Sequence, residues 1–75
     1  MEFFFHILDA SDRVLDEKGM NLRDIREARR EMWSTAIDVL HQSFEAGLDV
    51  GAMSVEVEDF QGQVKARMSL RELFN

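Results

Sequence analysis

Apolar and polar positions change period along this chain, and each change marks an element. Phe3, Phe5 and Ile7 fall on one face of a first strand and Phe4, His6 and Leu8 on the other. Both faces are largely apolar, as in a central strand or one covered by a partner. Asp9-Ala10-Ser11-Asp12 is a polar cluster suited to a turn. Arg13, Val14 and Leu15 then make a short return strand, closed by Asp16-Glu17-Lys18-Gly19.

The middle of the chain has helical spacing. Asp24-Ile25-Arg26-Glu27 has the form of a capping box, in which Asp24 accepts from the Glu27 amide and Glu27 reaches back. Asn21 is a second candidate cap. Ile25, Ala28, Met32, Ala36, Ile37, Val39, Leu40 and Phe44 recur at spacings of three and four, and Gly47 suits a left-handed terminus. A helix from about 24 to 46 is roughly 34 Å long.

Period two follows. Met53, Val55 and Val57 alternate with Ser54, Glu56 and Glu58, and Val64, Ala66 and Met68 with Lys65 and Arg67. Asp59-Phe60-Gln61-Gly62 lies between them, with Gly62 free to take a positive φ. Pairing Glu56 with Lys65 sets Val57 opposite Val64 and Met53 opposite Met68. Ser69-Leu70-Arg71-Glu72 reads as the cap of a last helical turn that presses Leu70, Leu73 and Phe74 onto the body. The expected fold is α+β: one domain over residues 1–75 in ββαββ order, a four-stranded antiparallel sheet with one long helix packed across the face carrying Val55, Val57, Val64 and Ala66.

These segments resemble a known family. Phe4-Phe5-His6, the acidic turn, Asp16-Glu17-Lys18-Gly19, Leu22, Asp24 and Ala28-Arg29-Arg30-Glu31 are similar to small alphaproteobacterial proteins whose first strand is Tyr-Phe-Phe-His-Val-like, classed as a domain of unknown function. Val55 to Gly62 is similar to that family's second hairpin. Phe3 stands where tyrosine is usual, and Arg23 where proline often precedes the helix. The resemblance implies bacterial origin and a small stand-alone domain, and no activity.

Composition narrows the function classes. The 75 residues contain no cysteine, so neither a disulfide framework nor a thiolate zinc site supplements the core. A net charge of −6 disfavours unspecific binding to nucleic acid or anionic membrane. No stretch approaches the roughly 20 apolar residues of a membrane span, and Phe3 to Leu8 is too short for a signal-peptide core, so a cytoplasmic protein is expected. No GxSxG elbow and no glycine-rich phosphate loop is present, and no catalytic residue or cofactor is expected. His6 reads as a partly buried histidine donating to a carbonyl or carboxylate. Asp38, His41 and Glu45 share one helical face at a spacing a metal tolerates, yet polar helix faces produce such trios constantly. Trp33, Met32 and their neighbours read as core.

The charges on the helix stand out. At about 100° per residue the apolar positions cover an arc of about 180°, wider than the roughly 100° stripe that one sheet needs. Arg26 and Arg29 fall inside that arc and Arg23 and Arg30 at its edge, where positive charge opposes the helix dipole. Two readings follow. The first is a non-catalytic interaction module that self-associates as a two-fold dimer and binds an unidentified protein partner, its interface including Phe4, His6, Leu8, Arg26 and Arg29. The alternative is a small nucleic-acid-associated regulator with Arg23, Arg26, Arg29 and Arg30 as an anion-facing strip.

Overall fold

A computed structural model describes residues 1–74 and places the expected elements in the expected order. Strand β1 (Glu2–Leu8) is followed by two short strands, β2 (Arg13–Val14) and β3 (Met20–Asn21). Helix α1 (Ile25–Glu45) leads through a 3-10 turn at Val50–Ala52 to β4 (Ser54–Asp59) and β5 (Val64–Ser69), and a second 3-10 turn, Leu70–Leu73, follows. The two long strands β1 and β4 form the centre of an antiparallel sheet. β5 flanks β4, and β2 and β3 both flank the other side of β1.

The sheet therefore has five strands rather than four. The return strand breaks after Val14, and the chain rejoins β1 at Met20–Asn21, so Leu15 lies outside the sheet and is exposed. The second hairpin has a different register from the expected one. Glu56 pairs with Arg67, Val57 with Ala66 and Val55 with Met68, a slip of two residues, and an irregularity at Val57/Glu58 sets Val64 opposite Glu58. An even slip keeps each side chain on its face. Lys65 consequently lies 3.7 Å from Asp59 and not beside Glu56, and Val64 is exposed rather than core. Gly62 does adopt a positive φ of 81° in the turn, and two Asp59-accepted bonds, from the Gln61 and Gln63 amides, hold it.

The helix begins where Asp24 accepts from the Glu27 amide at 3.0 Å. Only this half of the capping box forms, because the Glu27 carboxylate reaches one residue further back, accepting from the Arg23 amide at 3.4 Å and the Arg23 side chain at 3.1 Å. The helix ends with Gly47 at φ 73°, the Leu48 amide donating to Ser43 O and the Gly47 amide to Phe44 O, a Schellman closure. Ala28 and Ala36 have no exposed surface, and these small side chains let the helix backbone lie close on the sheet. Phe3, Phe5, Met32, Val39, Met53, Val55, Val57, Met68 and Leu70 complete the core between helix and sheet. The Ser69 cap forms as expected, with Glu72 accepting from its amide, and it buries Leu70, whereas Phe74 stays exposed.

Candidate interaction site

Two surfaces could receive a partner: the sheet face away from the helix and the outer side of the helix. The first carries Phe4, His6 and Leu8, which alternate with the core residues Phe3, Phe5 and Ile7 and pair with Glu58, Glu56 and Ser54 of β4. The chain closes much of this face itself. Between β2 and β3, where no strand pairs with the middle of β1, Asp16 takes over the edge. Its carboxylate accepts from the Phe5, Lys18 and Gly19 amides at 3.0–3.1 Å, and its own amide donates to His6 Nδ1 at 3.0 Å. The His6 ring accepts at Nδ1, and its Nε2 faces the Glu58 carboxylate, 3.7 Å from Oε1. Burial pushes the Asp16 carboxyl up, but the three amides outweigh it and hold the group below its usual value. Gly19, at φ 75°, lies against the Phe4 ring so closely that a Cβ there would stand 2.9 Å from Phe4 Cε1. His6 is buried, Phe4 and Leu8 are partly buried, and Glu56 is buried with Arg13 Nη2 at 3.4 Å.

The outer side of the helix is left open. Trp33 and Ile37 are each 44% exposed and Phe44 72%, with the partly buried Leu40 between them. The steps of four, three and four from 33 to 44 are those of a coiled-coil seam. The sequence reading has these side chains in the core. The structure instead divides the 180° apolar arc: Ile25, Ala28, Met32, Ala36 and Val39 face the sheet, while Trp33, Ile37 and Phe44 face solvent.

At the N-terminal end of this seam stand the four arginines, all exposed. Arg23 pairs with Glu27, whereas the side chains of Arg26, Arg29 and Arg30 make no ion pair or hydrogen bond among the described residues. Arg23, Arg26 and Arg30 share a shallow hollow of about 270 Å³ with Asp24 and Glu27, so both signs of charge line it. The Glu27 amide, with help from the Arg26 amide and from the charges of Arg23 and Arg26, keeps the Asp24 carboxyl below its usual value against the opposing effect of burial. Arg29 lies instead beside a groove of about 500 Å³ between the helix start and the second hairpin, where Phe3, Ile25, Phe60 and Lys65 also contribute. No sequence signal pointed to that groove, because its walls come from separate elements.

The proposed interface residues are thus not brought together. Phe4, His6 and Leu8 lie on the sheet face, and Arg26 and Arg29 on the helix. Asp38, His41 and Glu45 form no metal site, since no group of three acids or histidines among the described residues is placed to hold an ion. Among the described residues no helix is long and apolar enough to cross a membrane. No curated protein and no solved structure matches the chain. A family model described as Domain of unknown function (DUF6894) matches residues 2–71, nearly the whole chain, and the protein belongs to that family.

Proposed function

We propose that this protein is a non-catalytic interaction module of the bacterial cytoplasm that self-associates through the outer side of α1. The observation that carries the reading is the exposed seam of Trp33, Ile37 and Phe44 around Leu40, on a helix whose other half is already committed to the core. Large apolar side chains scattered singly on a surface are ordinary, but a contiguous row rimmed by charge marks a contact surface. A non-catalytic role agrees with how the buried His6 on β1 and the half-buried Asp16 beside it are used: the Asp16 oxygens and His6 Nδ1 are engaged with backbone amides, which makes them structural supports. The interface differs from the one expected from sequence in that Phe4 and Leu8 are partly covered by the chain's own edge.

Sedimentation equilibrium at tens of micromolar tests the reading. It predicts a species of twice 8.7 kDa that Ile37→Glu converts to monomer and Lys18→Ala leaves intact. A wild-type monomer at all concentrations would end the proposal. The nucleic-acid reading keeps one observation in its favour, the three unpaired arginines, but Asp24, Glu27 and Glu31 interleave with them and the net charge is −6. Binding to short duplex DNA that falls steeply with salt and weakens on Arg26→Ala or Arg30→Ala would favour it.

A further inference from the structure

Resting on that reading, we infer that the partner of the seam is a second copy of the same helix running antiparallel, so that Arg29 and Arg30 of one protomer meet the C-terminal end of the other helix. The occupant is fixed by how charge is distributed along the seam. Arg26, Arg29 and Arg30 stand at its N-terminal end. The C-terminal half of the helix carries Asp38 and Glu45, and the chain has no lysine or arginine from residue 31 to residue 64. The last turn of the helix contains no basic residue to offset the negative end of its dipole. The C-terminal end thus lacks the positive charge that the unpaired arginines at the other end offer.

A two-fold axis between Ile37 and Leu40 brings the two ends together. It sets Trp33 across from the partner helix's counterpart of Phe44, and Ile37 across from that of Leu40, so large side chains interdigitate along the whole seam. In an antiparallel pair, equivalent flanks of the two helices face each other. Arg30 and Glu45 lie on the same flank, and at 1.5 Å per residue the pairing leaves them about 3 Å apart along the axis. Arg29, on the other flank, reaches the partner's helix C-terminus. The two Arg30 side chains are then about 25 Å apart along the axis, beyond the screening length at physiological salt. A parallel pair would place Arg26, Arg29 and Arg30 of both protomers at one height, six like charges around one end of an apolar seam.

The test exploits a difference of sign. In the antiparallel pair Arg30→Glu removes an attraction and weakens dimerisation about tenfold, and adding Glu45→Arg to the same chain restores the affinity to within about threefold. In a parallel pair Arg30→Glu relieves repulsion and tightens the dimer. Neither substitution opposes the helix dipole, so loss of dimer is not loss of helix. Because the chain contains no cysteine, orientation is also read directly: Trp33→Cys and Phe44→Cys proteins are mixed and oxidised. Mixed disulfides between the two variants support the inference, and like-with-like disulfides overturn it. A dimer indifferent to Arg30→Glu also overturns it while leaving self-association standing, whereas a wild-type monomer removes the proposed function itself.

Discussion

The sheet face of β1 and the outer face of α1 both look, by residue type, as if they need covering, and the structure treats them oppositely. Over Phe4 and His6 the chain's own edge folds back, with Gly19 against the Phe4 ring and Asp16 joined to both Phe5 and His6. Over Trp33, Ile37 and Phe44 nothing in the described residues folds back. The difference lies in the available hydrogen bonding. β1 has backbone groups that an edge can pair with, so a few residues of loop with one well-placed carboxylate close it. A helix has spent its backbone bonds internally and offers a second element only side-chain packing, the kind of contact another helix supplies.

Substitutions on the two faces should therefore have different consequences. The largest effect is expected for Phe4→Asp, which sets a charge under the Gly19 loop and across from Glu58: about 3 kcal/mol lost in urea unfolding. Asp16→Ala leaves three amides without their acceptor and should cost about 2 kcal/mol, lowering Tm by roughly 8–15 °C. Gly19→Ala, with its strained φ and its close approach to Phe4, should fall in the same range. If either leaves stability unchanged, the edge does not close the sheet face.

Acid should loosen the same edge. The Asp16 carboxyl is held below its ordinary value when folded, as are those of Asp24 and Asp59. Their stabilisation is present above the unfolded value of about 4 and is lost as pH falls through the folded values. Denaturation midpoints measured from about pH 6 down to pH 3 should drop, and Asp16→Asn should flatten part of that slope. The smallest effect on the folded monomer is expected from Ile37→Glu. Measured in dilute solution, its stability should stay within about 0.5 kcal/mol of wild type, although the same change should abolish the proposed self-association.

How much of this was legible in the sequence varies with the kind of signal. The helix boundaries were set by Asp24 and Gly47 and the second hairpin by its alternation, and both stand in the structure. A period of two assigns faces but tolerates an even slip, so the Glu56 pairing was misplaced by two residues without disturbing the core. The strand Met20–Asn21 is too short to show any period, and it exists because Asp16 anchors the loop before it. The width of the apolar arc was visible, but not which half meets the sheet. The small Ala28 and Ala36 were the clue, since a helix approaches a sheet most closely on its small side chains, which turns Trp33, Ile37 and Phe44 outward.

That outward turn is also the most direct point of attack, because Trp33 is the single tryptophan of the chain and lies within the seam. Its fluorescence should report pairing without any label. As concentration rises from the nanomolar range to tens of micromolar, emission should shift from that of a water-exposed indole to shorter wavelength along the same curve as the sedimentation mass, and Ile37→Glu should abolish the shift. A dimer whose Trp33 emission stays that of an exposed indole throughout would contradict the account, since the two copies would then be meeting through some other surface.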